Sequence, residues 1–332
     1  MQFGLFGGAR TKRSVGIEDS QGYEAFIEYV VEADRLGFRH LFMVEHHFTG
    51  QGQVSASMTV LAYLAARTRN IRLGTAVVVL PWHNPVLVAE QVATLDLLSG
   101  GRVDLGVGKG YRQAEFDGFC IPMAEASERF DEAMEVIRKA WTTPHDKDGG
   151  RFSHHGKRWH YDDIVVEPEP LQRPHPPLWL AAGSHDSVRR AAREGYNLLL
   201  DQLAQVDQIA QRIALFREEC GRIGRAFDPA MVATARALQM IHRESERAQA
   251  YETRKRVLSV IGDLARDKLP DRIEDDTAPL LGTPDEVIQR LKQLEAGGAT
   301  NILLVDPNAS VANLRAFAAE VVPAFRPARA AD

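Results

Sequence analysis

Strand-like and helix-like segments alternate along this chain, and that rhythm limits the fold more than any single motif does. Gln2 to Phe6 reads as a strand, and Tyr23, Phe26, Ile27, Val30 and Val31 then repeat at helical spacing until Gly37. His40 to Val44 is a second strand, a helix follows from about Ser55 to Arg67, and IRLGTAVVVL, Ile71 to Leu80, gives the strongest strand signal. Asn84 and Pro85 open the next helix, because Asn caps well and Pro is preset for a first turn. Val103 to Val107 makes a fourth strand, followed by a helix from Ser127 to Trp141. Four strand–helix alternations predict parallel βαβ units rather than a sandwich or a bundle.

The rhythm breaks over about 142–177, a stretch rich in His, Pro and charge that reads as an insertion with a hairpin and a Pro-stiffened return. It then resumes with strands at Leu178 to Ala181, Asn197 to Leu200, Met231 to Met240 and Asn301 to Val305. The helices between them are expected over Asp186 to Glu194, Val206 to Cys220, Ser245 to Leu264 and from the capping box at Thr283 and Glu286. A last helix spans about Val311 to Phe325. Eight strands with nearly all connections helical predict a (β/α)8 TIM barrel rather than an open doubly wound sheet.

Composition narrows the function classes. Hydrophobic residues make up 45% of the 332 residues and charged residues 26%, enough apolar material for a large core. The net charge of −5, with Lys and Arg dispersed, argues against a nucleic-acid partner. Cys120 and Cys220 form neither a CxxC pair nor a disulfide framework. No segment approaches the roughly 20 apolar residues of a membrane span, and the opening MQFGLFGGAR lacks the basic leader of a secretory signal, so no membrane partner and a cytoplasmic location are expected.

In a barrel, chemistry sits where strands hand over to loops at their carboxyl ends. That filter selects Phe6 and Gly7, Glu45 to Phe48, Leu80 to Asn84, Lys109 to Arg112, and Gly183 to Ser187. Glu45, His46 and His47 end an apolar strand and are too polar to bury unpaired. Neighbouring strand residues face opposite ways, which would leave one imidazole for catalysis and one for structure. Two adjacent imidazoles rarely chelate one ion, and no third ligand is spaced around them, so no metal is expected. Gly106, Gly108 and Gly110 alternate around Lys109 in a turn that suits an anion but matches neither a dinucleotide fingerprint nor a P-loop. Ser184, Asp186 and Ser187 precede a helix and serve either an anion or ordinary capping. They are no hydrolytic triad, since consecutive residues cannot form that relay. His145, His154, His155 and His160 read as a polar solvated hairpin before a metal site.

Taken together, VEHHF, IRLGTAVVVLPWHNPVLVAEQVATLDLLSGGRVDLGVGKGYRQAEF and PPLWLAAGS resemble the bacterial luciferase-like family of flavin-dependent monooxygenases. The resemblance runs through most of Phe3 to Leu200. It implies one luciferase-like TIM-barrel domain over 1–325, with the insertion at about 142–177 and a tail at 326–332. It also implies reduced FMN, delivered by a separate flavin reductase, reacting with O2 to give a flavin C4a-peroxide that oxidises a small-molecule substrate. His46 then matches the catalytic histidine. Thr75 and Ala76 match the strand-three bulge beneath the isoalloxazine, where relatives can hold a non-prolyl cis peptide. Lys109, beside Gly110 and Tyr111, stands where relatives commonly place Arg on the FMN phosphate, and Gly183, Ser184 and Ser187 fall in the matching phosphate loop. Phe6, Glu45, Trp82 and His83 would shape the substrate pocket. His47 and Glu90 match positions that pair across a subunit interface, so a homodimer through the helices after strands two and three is expected. The alternatives on the same barrel are an F420-dependent oxidoreductase and a non-catalytic flavin-binding protein, with a metal-dependent hydrolase behind them.

Overall fold

The computed structural model describes residues 1–10, 16–144, 148–261 and 272–326. The chain folds as a (β/α)8 barrel whose strands, in order, are β1 (Gln2–Gly7), β2 (His40–Met43), β3 (Arg72–Thr75), β5 (Val103–Gly108), β8 (Leu178–Ala181), β9 (Asn197–Leu200), β10 (Val232–Met240) and β12 (Asn301–Val305). Two short strands join this set: β4 (Val78–Val79) beside β5, and β11 (Leu280–Gly282) beside β10. The helices between them are α1 (Asp19–Leu36), α2 (Ser57–Arg67), α3 (Pro85–Ser99), α4 (Gln113–Gly118), α5 (Ala126–Thr142), α6 (His185–Arg193), α7 (Val206–Arg222), α8 (Arg247–Ile261), α9 (Pro284–Ala296) and α10 (Val311–Glu320). Among the described residues, no helix is long and apolar enough to cross a membrane.

Two compact units are distinguishable within the chain. The first comprises Met1–Phe6, Arg35–His40 and the chain from Ala182; the second comprises Gly7–Asp34 and Leu41–Ala181. In the first, β1, β12, β10 and β9 pair in parallel, with Gln2 opposite Asn301, Asn301 opposite Ala233 and Leu199 opposite Ala233. Phe317 of α10 packs edge-on against Phe3 of β1 at 5.1 Å, closing apolar surface over that ladder.

In the second unit, Leu41, Phe42 and Met43 are wholly buried, as a strand covered on both faces requires. Each contributes about 1.5–3 kcal/mol by leaving water. The ring of Phe42 meets Trp179 of β8 at 5.1 Å. The sequence run Ile71 to Leu80 is not one strand. It splits into β3 and β4 around a cis Ala76–Val77 peptide bond, and β4 is paired through Val78 and Val79 to Val107 and Gly108. Thr75 fixes this register: its Oγ1 donates to the Gly106 carbonyl at 2.7 Å and accepts from the Gly106 amide at 3.0 Å. A Cβ on residue 106 would sit 1.9 Å from the Thr75 carbonyl oxygen, so only glycine permits the approach.

The stretch between β5 and β8 carries an antiparallel hairpin of β6 (Phe152–His155) and β7 (His160–Ile164). Glu132 of α5 anchors it by accepting the Arg158 and Trp159 amides at 3.0 and 2.9 Å. His154 is buried between Glu132 and Lys139, while His155 is exposed and pairs with Asp162 at 2.6 Å. His145 and, beyond Arg326, the expected tail lie outside the described residues. No group of three or more metal-ligating side chains occurs among the described residues.

Candidate active site

Strand β2 stops at Met43, so Val44 to His47 already belong to the following loop. The alternation of strand faces therefore does not separate the two imidazoles, contrary to expectation. Two different carboxylates separate them. His46 Nδ1 lies 3.0 Å from Glu115 Oε1, and the same oxygen accepts the His47 backbone N–H at 2.9 Å. The His47 ring turns to Glu45, with Nε2 at 3.3 Å from Oε1, and His83 Nε2 meets that same Glu45 oxygen at 2.8 Å.

Both carboxylates are almost fully enclosed, with side chains 3% exposed, whereas His46 and His47 are 15% and 17% exposed. Burial pushes the Glu45 carboxyl up, but hydrogen bonds from His47 and His83, reinforced by their charge, hold it below the ordinary carboxylate value. Burial likewise opposes ionisation of Glu115, and the bonds from His46 and the His47 amide, with charge on His46 and Arg112, bring it below that value.

The rings around His47 explain its orientation. Phe119 packs edge-on at 4.8 Å and Trp82 at 5.6 Å, and Trp82 stacks on Phe119 at 5.2 Å. Phe48 closes the group against Phe119 at 4.9 Å. Phe48 can lie there because residue 118 is glycine: a Cβ would fall 2.3 Å from its ring. Expected to face outward, His47 is instead engaged within its own chain, and Glu90 is half-buried on α3. Trp82 ends a 3-10 turn after β4 and His83 follows it, and Asn84 caps α3 by accepting the Val86 and Leu87 amides at 3.0 and 3.3 Å.

Lys109 follows β5 and donates to Ser127 Oγ at 3.1 Å, while Gly110 adopts φ 78° ahead of exposed Tyr111. Tyr111 meets the His46 ring edge-on at 6.3 Å. Thr75 and Ala76 lie at the break between β3 and β4, and the Ala76 amide donates to the Met43 carbonyl at 2.6 Å.

In the other unit, Phe6 lies near the end of β1 and Gly183, Ser184 and Ser187 surround the start of α6. The Ser184 hydroxyl accepts the Ser187 amide at 3.2 Å and the Ser187 hydroxyl accepts the Ser184 amide at 3.1 Å, a reciprocal cap. Beside this cap, Gly183, Ser184, His185, Gln208, Gln211 and Arg212 line a cavity of about 330 Å³. The polar lining and the helix amino end make that space compatible with an anion such as a phosphate, while Arg212 pairs there with Asp201 at 3.4 Å.

Residues 1–301 match the luciferase-like monooxygenase family. The oxygenase component of the flavin-dependent trigonelline monooxygenase of Acinetobacter baylyi is 26% identical, over 92% of this chain and 90% of the relative. Two uncharacterized proteins of Sinorhizobium fredii are 34% and 36% identical, but there the chain spans about half of each relative, 49% and 46%. Among solved structures, monooxygenase RslO1 of Streptomyces bottropensis superposes with a TM-score of 0.84 at 27% identity, over 98% of this chain and all of that one. The coenzyme F420-dependent tetrahydromethanopterin reductase of Methanopyrus kandleri shares the fold at 18% identity, with a TM-score of 0.73 over 98% of this chain and 99% of that one.

Proposed function

The chain belongs to the luciferase-like monooxygenase family, and from that membership we propose that it is a flavin-dependent monooxygenase using reduced FMN and O2 to oxidise a small organic substrate. The observation that carries this reading is His46, partly open beyond the second strand and backed by the enclosed carboxylate of Glu115. An imidazole so placed can hold or deliver a proton. Reduced FMN, when bound, supplies the electrons that activate O2. The residues that the family resemblance assigns to it are Thr75, Ala76, Lys109, Gly110, Tyr111, Gly183, Ser184 and Ser187. The anion-compatible cavity at the start of α6 supports a phosphate-bearing cofactor there. Glu45, Trp82, His83 and Phe6 are assigned to the substrate pocket.

The Acinetobacter relative is named an oxygenase component, which supports a separate flavin reductase for this chain too. Exposed Tyr63 on α2 and exposed Leu87, Leu97 and Leu98 on α3 support a homodimer through those helices, the interface to which the family resemblance assigns His47 and Glu90. Leu98→Glu should then shift the mass measured by light scattering to that of a monomer.

Anaerobic titration with FMNH2 and with reduced F420, followed by oxygen uptake, tests the reading. FMNH2 should bind, and oxygen uptake should become coupled to substrate. Selective tight binding of F420 would replace it with an F420-dependent oxidoreductase, a reading supported by the fold shared with the Methanopyrus reductase. Oxygen uptake indifferent to every substrate and to His46→Ala would leave a non-catalytic flavin-binding protein.

A further inference from the structure

Glu115 is assigned above to neither cofactor nor substrate and only backs His46, yet it is the residue that holds that ring. It lies on the six-residue helix α4, 69 positions along the chain from His46, and is almost fully enclosed. An enclosed carboxylate is stable only when its oxygens are bonded, and here Oε1 takes two donors, the His46 ring and the His47 amide. Arg112, one turn earlier, adds charge that favours the ionised form. An ionised carboxylate only accepts hydrogen bonds. The contact at 3.0 Å therefore requires the proton of the neutral His46 ring to be on Nδ1. Nε2 is then left as an unprotonated acceptor.

We propose that Glu115 is the positioning residue of this enzyme: it fixes His46 as the Nδ1–H tautomer, aims Nε2 at the reacting groups, and stabilises the ring when Nε2 takes up a proton. The step is a proton transfer alone: Nε2 gains a proton from a substrate or solvent O–H, the O–H electron pair stays on oxygen, and Glu115 keeps its negative charge throughout. The second bond, to the His47 amide, ties the loop after β2 to α4 so that the ring cannot swing away. The catalytic part of this inference rests on the assignment of His46 as the acid/base group; the tautomer does not.

The deciding measurement is 15N NMR of the ligand-free protein at a pH where the ring is neutral. Wild type should show His46 protonated on Nδ1. Glu115→Ala should move it to the Nε2–H form that predominates for free imidazole in water, whereas Glu115→Gln, which keeps an acceptor oxygen, should retain Nδ1–H while losing the charge. In turnover assays both variants should lower kcat by on the order of 10²-fold, with KM and flavin affinity little changed. A wild-type spectrum with the proton on Nε2 overturns the inference without any variant. So does a folded Glu115→Ala protein that keeps the wild-type tautomer and kcat. An Nδ1–H His46 in a protein that turns over F420 in place of FMN upholds Glu115 and removes only the flavin reading.

Discussion

Two charge clusters in this molecule both set carboxylates against basic side chains, and the identity of the base separates what each can do. In the unit of Gly7–Asp34 and Leu41–Ala181, two carboxylates are surrounded by imidazoles: Glu115 with His46, and Glu45 with His47 and His83. In the other, Arg212, Arg236 and Arg254 are set against Asp201 and Asp276. Arg254 Nε donates to Asp276 Oδ2 at 2.9 Å, and Gln205 and the Ala278 amide bond the other oxygen, each at 3.0 Å. Arg236 is wholly buried on β10 and donates to the Ala204 carbonyl at 2.9 Å. Burial lowers it to about 10, still far above neutrality. Guanidinium charge does not change in the working range, so this cluster pins the loop after β9 to β10 and the segment before β11 to α8. Imidazole charge can change, so the other cluster is where protons can move. The same economy of buried pairs yields structure in one place and a reactive group in the other.

Removing one member from each cluster should separate these roles. The largest effect is expected from Asp276→Ala, which strands the Arg254 guanidinium in the interior and should cost about 3–5 kcal/mol of stability in denaturant unfolding. Turnover per folded molecule should change little. A variant as stable as the parent would show that the arginine cluster is not a structural pin. Next comes His46→Ala, for which kcat should fall by about 10²- to 10⁴-fold in single-turnover assays, the usual worth of a positioned acid/base group. Its unfolding midpoint should move much less than that of Asp276→Ala. Loss of stability without loss of turnover would erase the contrast.

How far each cluster was legible in the sequence follows from how local its signals are. The strands β2 and β5, whose ends fall one residue from where they were expected, the Asn84 cap and the Thr283–Glu286 box depend on residues within a few positions, and the structure contains them. His46 stood out for the same reason, as a polar residue at the end of an apolar run. Glu115 did not. Its helix is too short for a periodic signal, and its partner is 69 positions away; the only cue was an acidic residue beside Phe116 soon after a strand end. The break between β3 and β4 left no signal in the pattern of Ile71 to Leu80, because a strand-like run carries no sign of where pairing shifts, and only the family resemblance pointed to Thr75 and Ala76. The three residues of β11 are too few for any pattern. The arginine cluster was invisible for a stronger reason: Arg212, Arg236 and Arg254 lie on three separate elements and look like surface residues until the fold brings them together.

The smallest expected effect is also the most direct comparison of the two clusters, because it needs only a change of pH. Glu45 and Glu115 are held below the ordinary value of 4.5 in the folded chain. In the unfolded chain they return to it and bind protons more readily. Ionisation of these groups therefore stabilises the fold above that ordinary value, and the contribution disappears as pH falls through their lower folded values. Unfolding midpoints measured from pH 6 downward should drop over that acid window, and Glu45→Gln and Glu115→Gln should each flatten the drop because the group that differs between the two states is gone. Arg236→Met should leave the acid slope unchanged, since the guanidinium is fully protonated in both states throughout the window. A double Gln variant whose acid slope equals the parent's would show that Glu45 and Glu115 contribute none of it, and a slope altered in Arg236→Met would mean that the two clusters are not the separate devices their chemistry makes them.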